Sequence, residues 1–165
     1  MNIYEFAKRM ENDGEKYYRE LAAQSDSPGL KKIFSMLAAE EVKHYKVIDL
    51  MSRGSGLPEL AETDILNNVK NVFAEMKDIE PHPRIDSTAA TNSYQKARDI
   101  EEESRKFYLE QAGKVKNEAQ AAIFLSLAVE EGKHLRIMEN IVEFVSRPEP
   151  GNWLENAEWH HLNSY

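Results

Sequence analysis

The tetrad Glu41-x-x-His44 returns as Glu131-x-x-His134, and each copy follows a lone glutamate, Glu11 or Glu101, at the same distance. The offset between the copies is 131 − 41 = 101 − 11 = 90 residues; at that offset Ala7 pairs with Ala97, Tyr18 with Tyr108, Ala22 with Ala112, Ile33-Phe34 with Ile123-Phe124 and Leu37-Ala38 with Leu127-Ala128. A chain that repeats both its apolar and its acidic positions is a duplicated unit. The spacing inside that unit is helical: Tyr4, Ala7, Glu11, Gly14, Tyr18 and Leu21 step by three and four residues and so share one helix face. Phe34, Leu37, Glu41, His44, Ile48 and Met51 form a second such face, repeated as Phe124, Leu127, Glu131, His134, Met138 and Ile141. The duplication restricts the fold to paired helical hairpins, with glutamates and histidines interrupting the stripes that must be buried.

Helices are predicted over residues 4–23, 28–52, 88–114 and 118–146. Ser25-Asp26-Ser27-Pro28-Gly29 separates the first two, with Ser27 suited to an N-cap and Pro28 to a first helical position. The short connection within each half makes an antiparallel hairpin, whereas residues 53–87 are long enough to travel the length of a bundle. Inside that connection Ile65, Val69, Val72, Phe73 and Met76 predict a short amphipathic helix over about residues 63–77. The expected fold is all-α, an antiparallel four-helix bundle over residues 1–146 with one long crossover between its second and third helices. A tail, residues 147–165, has no counterpart in the first half, and its Trp153-Leu154-Glu155-Asn156-Ala157-Glu158-Trp159 predicts a short C-terminal helix that docks through its tryptophans.

Charge and composition exclude several functions. A net charge of −8 and a pI near 5.2 argue against a nucleic-acid partner or an anionic membrane surface, which require clustered Lys and Arg. The absence of cysteine removes disulfides, thiolate nucleophiles, zinc ribbons and cysteine-held iron centres, and fits a reducing compartment. Residues 1–10 carry Glu5, Lys8 and Arg9 and lack the apolar run of a signal peptide or membrane helix, so a cytoplasmic protein is expected.

Residues three apart on a helix project from one side, so Glu41 with His44 can reach one metal ion, and Glu131 with His134 can do the same from a facing helix. Glu11 and Glu101 complete the shell, giving four carboxylates and two imidazoles for two ions, with some carboxylates bridging. An isolated Glu or His in such a seam is ordinarily satisfied by a neighbour. Six of them together without cations would cost several kcal/mol for each unpaired ion. An oxygen-rich shell with one imidazole per ion suits Fe(II) or Mn(II) better than structural zinc; two iron ions are expected, with manganese or mixed occupancy compatible.

Other residues near the seam have two readings. Glu40 and Glu130 also repeat but fall off the seam, which makes them solvated or supporting residues, and Glu15, Glu102 and Glu103 read as the wet face. Tyr18 and Tyr108 lie two turns from Glu11 and Glu101, roughly 10 Å along the axis, and serve either as core aromatics or as catalytic phenols that orient a ligand carboxylate. Gly14 and Ser104, one turn after the lone glutamates, either allow close helix packing or leave room for an exogenous ligand. His82, His160 and His161 fall in loop and tail positions where exposure is expected.

With these motifs in place the chain resembles the rubrerythrin branch of the ferritin-like di-iron superfamily. The stretches Glu11-Asn12-Asp13-Gly14-Glu15-Lys16-Tyr17-Tyr18, Lys31-Lys32-Ile33-Phe34 and Glu101-Glu102-Glu103-Ser104-Arg105-Lys106-Phe107-Tyr108 are similar to that family's helices, and the resemblance covers about residues 3–145. The tail from Trp153 to Trp159 resembles the ending of some stand-alone members. Rubrerythrins proper carry a four-cysteine rubredoxin-like domain, which these residues lack, and a second glutamate on the third helix where this chain has Ser104. The resemblance implies a ferritin-like bundle with a di-iron site, and the departure at Ser104 makes the expected site here more symmetric.

The leading expectation is a di-iron oxidoreductase that reduces hydrogen peroxide or dioxygen with electrons from an external donor protein. Ferritin-type iron oxidation and storage is the alternative, and it requires a closed shell of many subunits. A metal-free helical interaction module is a third. A homo-oligomer is expected, with a dimer that exchanges hairpins as one arrangement, because either second-half hairpin could complete a first-half site.

Overall fold

The computed structural model describes residues 2–54, 60, 62–79 and 88–145. Among these residues the chain forms five helices and no strand: α1 Ile3–Gln24, α2 Pro28–Arg53, α3 Ile65–Ile79, α4 Thr88–Lys114 and α5 Glu118–Val145. Short polar side chains start three of them. The Asn2 side chain accepts the Glu5 N–H at 2.8 Å, Ser27 Oγ accepts the Leu30 N–H at 3.2 Å, and Asn117 Oδ1 accepts the Gln120 N–H at 3.0 Å. Pro28 follows Ser27 at a helical position whose N–H would have no intrahelical partner anyway. At the other end of α2, Gly54 takes the left-handed conformation, φ 66°, that a side chain would strain.

Two apolar clusters fix the topology. One contains Leu21, Phe34, Leu37, Tyr94, Ala97, Ile137, Met138 and Ile141; the other contains Ala7, Val47, Ile48, Met51, Tyr108, Phe124 and Leu127. Every bundle helix passes from one to the other, and on each the candidate ligands fall between them: Ala7, Glu11, Tyr18 on α1; Leu37, Glu41, His44, Ile48 on α2; Ala97, Glu101, Tyr108 on α4; Leu127, Glu131, His134, Met138 on α5. The order of clusters makes α1 antiparallel to α2, and α4 antiparallel to α5. It also makes α2 and α4 run the same way, so the chain between them must return along the bundle. That return carries α3, whose Ile65, Val69, Val72, Phe73 and Met76 are buried in the first cluster.

The helix boundaries fall within two residues of those expected from spacing. The crossover helix starts at Ile65 rather than at Thr63 because Thr63 is held from outside the helix: its N–H and hydroxyl both donate to the Glu130 carboxylate, at 2.8 and 3.0 Å. The Asp64 carbonyl then accepts the first helical bond, from the Asn68 N–H at 3.0 Å. The expected tail helix with Trp153 and Trp159, and His82, His160 and His161, lie outside the described residues.

Candidate metal centre

Between the two clusters the side chains of Glu11, Glu41, His44, Glu101, Glu131 and His134 meet, each at most 4% exposed. One chain supplies all six. His44 Nδ1 lies 2.9 Å from Glu131 Oε1 and 3.6 Å from Glu11 Oε1. His134 Nδ1 lies 3.3 Å from Glu41 Oε1 and 3.6 Å from Glu101 Oε1. The imidazoles stack nearly parallel, with centroids 5.4 Å apart and planes 6° from one another. The shorter contact of each histidine, to Glu131 or Glu41, and the ring stack join one half of the duplication to the other, which is how a pseudo-symmetric pair of hairpins builds one centre.

Two phenols enter the same layer from opposite sides. Tyr18 Oη donates to Glu101 Oε1 at 2.6 Å, and Tyr108 Oη donates to Glu11 Oε1 at 2.5 Å. Each tyrosine therefore serves the lone glutamate of the opposite half, not the one on its own helix. Burial, and then the surrounding carboxylates, push both phenols well above their ordinary pKa, which keeps the O–H available as a donor.

The four carboxyl groups divide into two kinds. Burial opposes ionisation of Glu11, but hydrogen bonding to Glu41, together with the His44 charge and the Tyr108 hydroxyl, holds it below its ordinary value. Glu101 is lowered in the same way against its own burial, by Glu131, His134 and Tyr18. Burial and the neighbouring carboxylates push Glu41 and Glu131 well above the usual range. Burial opposes the charged form of His44, yet Glu11 and the other acids raise its pKa. The surroundings thus favour ionisation of Glu11 and Glu101 and oppose that of Glu41 and Glu131.

The donor atoms fit metal ions. Glu11, Glu41, His44 and Glu131 each offer one ligand atom within 4.8 Å of the others, and Glu41, Glu101, Glu131 and His134 do the same. Glu41 and Glu131 belong to both groups, so the geometry defines two adjacent positions with two shared carboxylates. The fit is also visible in unmet valence: Glu11 Oε2, Glu101 Oε2, Glu131 Oε2, both His134 nitrogens and His44 Nε2 are buried without a hydrogen bond. Leaving that many buried polar atoms unpaired is costly, and cations would supply partners for the carboxylate oxygens and for one nitrogen of each imidazole. Gly14 makes the room that Glu41 occupies, since a Cβ there would stand 3.2 Å from Glu41 Oε2. Beside it a small pocket of about 10 Å³, enough for about one water molecule, is lined by Gly14, Tyr18, Glu41, Glu101 and Ser104 among others.

Of the two readings of the off-seam acids Glu40 and Glu130, solvated or supporting, the solvated one does not hold. Glu130 is 1% exposed and Glu40 7% exposed. The Thr63 hydrogen bonds and Lys133, 3.2 Å away, occupy Glu130, and Lys43 at 3.2 Å takes one oxygen of Glu40. At Glu130 the physical reason is the crossover, whose Thr63 lies against α5; Glu40 is buried beside the two imidazoles, with one of its oxygens in a group with His44 and His134. The signal that could have revealed this was the repetition of the adjacent pairs Glu40-Glu41 and Glu130-Glu131 at the 90-residue offset.

A helical bundle with duplicated Glu and Glu-x-x-His contributions places the chain among ferritin-like bundles with a buried cluster able to hold metal. More particularly, the rubrerythrin family model matches residues 2–79 and 92–150, and the chain belongs to that family. Comparison with curated proteins and with solved structures finds no match. No described helix is long and apolar enough to cross a membrane.

Proposed function

We propose that the chain is a non-haem di-iron oxidoreductase that reduces hydrogen peroxide, or dioxygen, with electrons delivered by another protein. The observation that carries this reading is the sharing of Glu41 and Glu131 between two otherwise separate ligand groups, one with Glu11 and His44 and one with Glu101 and His134. Four carboxylates also match the charge of two divalent cations. Two ferrous ions, when bound, would supply the two electrons that convert hydrogen peroxide and two protons to two water molecules, and would polarise the oxidant as Lewis acids.

The protein's own residues do the rest. Tyr18 and Tyr108 each donate to a carboxylate that has another oxygen left for the metal, so they fix the orientation of Glu101 and Glu11. The packed clusters above and below exclude bulk water, while the pocket at Gly14 and Ser104 admits only a small molecule. This size restriction favours peroxide or dioxygen over any organic substrate. With no cysteine in these 165 residues, no cysteine-held iron centre lies within them to store incoming electrons, and an external donor supplies them. Manganese or mixed occupancy is the variation the donor set allows.

The test is stopped-flow oxidation of the anaerobically reduced, iron-loaded protein. Consumption of peroxide or dioxygen faster than by free Fe(II) is expected; a rate equal to that of free Fe(II) with both oxidants would end the proposal.

A further inference from the structure

We propose that Glu40 is a positioning residue shared by both imidazoles, accepting the Nε2–H of His44 and of His134 while each ring turns Nδ1 toward the metal positions. The inference rests on the di-metal reading above and adds a residue to it. An imidazole that binds a metal through one nitrogen carries its proton on the other, and that N–H needs an acceptor, most effectively a carboxylate that also raises the ring's basicity. The orientation of the rings is set by Nδ1, which in both faces ligand carboxylates. Nε2 of each is buried and has no hydrogen-bond partner.

Glu40 matches that need. It is 93% buried, its Oε2 has no partner, and an oxygen of Glu40 lies with one nitrogen of each ring inside a group spanning no more than 4.8 Å. The duplication sharpens the assignment. A symmetric protein would use Glu40 for one ring and Glu130 for the other, since 130 − 40 = 90. Glu130, however, has both oxygens engaged, by the Thr63 N–H and hydroxyl and by Lys133. It forms no corresponding group with the imidazoles among the described residues. The crossover has therefore drawn one of the duplicated acids away from the centre and left its twin to serve two stacked rings. The two imidazoles are parallel with centroids 5.4 Å apart, and one carboxylate can serve both: Oε2 of Glu40 has no partner, and Oε1, which accepts from Lys43, has a second lone pair.

The experiment uses the full chain loaded with Zn(II), which is redox-inert, and reads affinity by chelator competition and the histidine N–H protons by NMR on protein labelled with ¹⁵N at histidine. In the native protein we expect two ions per chain and two slowly exchanging Nε2–H signals. Glu40→Ala should lose both signals to exchange and weaken Zn(II) binding about 10 to 100-fold, the range for loss of a residue that orients a ligand. Glu40→Gln, which keeps the shape and one acceptor oxygen, should restore most of the affinity and at least one signal. Glu130→Gln should change neither. Unshifted N–H signals and unchanged affinity in Glu40→Ala, with two ions still bound, would overturn the positioning role alone. A third ion in the native protein that disappears in Glu40→Ala would overturn it in favour of a ligand role. Failure of the native protein to bind two ions would remove the di-metal reading itself, and this inference with it.

Discussion

Metal binding should expel protons, and the number follows from the carboxyl groups. In the metal-free protein Glu11 and Glu101 are held below their ordinary pKa and are already ionised at neutral pH, so they release none. Glu41 and Glu131 are raised well above it by burial and by neighbouring carboxylates, and each must lose a proton to act as a shared ligand. His44, raised by the acids around it despite its burial, adds a further fraction at lower pH. The expected release, at pH values above the ordinary carboxylate range and below the raised values of Glu41 and Glu131, is therefore about two protons per chain for two ions. Each displaced proton makes apparent affinity rise about tenfold per pH unit, roughly 1.4 kcal/mol, so two give about a hundredfold. The same groups shape metal-free stability. The contribution of Glu41 and Glu131 is fully present below the unfolded value of 4.5 and is lost as pH rises through their raised folded values, whereas that of Glu11 and Glu101 is present above 4.5 and is lost as pH falls through their lowered ones. Calorimetric titration with Zn(II) in buffers of different ionisation enthalpy measures proton release directly. A value near zero at every pH at which two ions bind would refute the raised pKa of Glu41 and Glu131.

Further outcomes are expected from single substitutions. Tyr18→Phe or Tyr108→Phe should leave metal content intact and slow oxidation of the diferrous protein about tenfold, roughly 1.4 kcal/mol in barrier, because each removes a short hydrogen bond to a ligand carboxylate; unchanged stopped-flow rates in both would reduce these phenols to core aromatics. Glu130→Ala should lower stability to urea by about 2 kcal/mol without changing metal content, since the half-buried Thr63 N–H and hydroxyl lose their acceptor and the Lys133 ammonium keeps only the Thr63 carbonyl; an unaltered unfolding midpoint would show that the clasp on the crossover contributes little. Gly14→Ala should act with opposite signs: higher metal-free stability, by up to about 1 kcal/mol from helix propensity, but weaker metal binding, because the new methyl group would crowd Glu41 from 3.2 Å. Affinity equal to the native protein's would mean that Glu41 has room to move.

The bundle was legible because the duplication repeated its core. Phe34 and Phe124, or Leu37 and Leu127, carry the same helical phase in both halves, and the two apolar clusters are built on those pairs. The six glutamates and histidines that meet at the centre announced themselves by interrupting the same stripes. Partners across the halves were harder to read. Helical spacing relates Tyr18 to Glu11 on its own helix, whereas the hydrogen bond goes to Glu101 on α4, a relation that only packing defines. The burial of Glu40 and Glu130 was obscured for a similar reason. Seam geometry describes one pair of facing helices, whereas Glu130 is held by the crossover through Thr63, and Glu40 has an oxygen within 4.8 Å of a nitrogen of both imidazoles.

The central claim is that two metal positions share Glu41 and Glu131 while Glu11 and Glu101 each serve only one. It is tested most directly by metal content per chain, measured after anaerobic Fe(II) loading of the native protein and of Glu11→Ala, Glu101→Ala, Glu41→Ala and Glu131→Ala, with helicity checked for each. The account predicts about two ions in the native protein, about one in Glu11→Ala and in Glu101→Ala, and close to none in Glu41→Ala and in Glu131→Ala. Two ions retained in folded Glu41→Ala, or a single ion in the native protein, would contradict it.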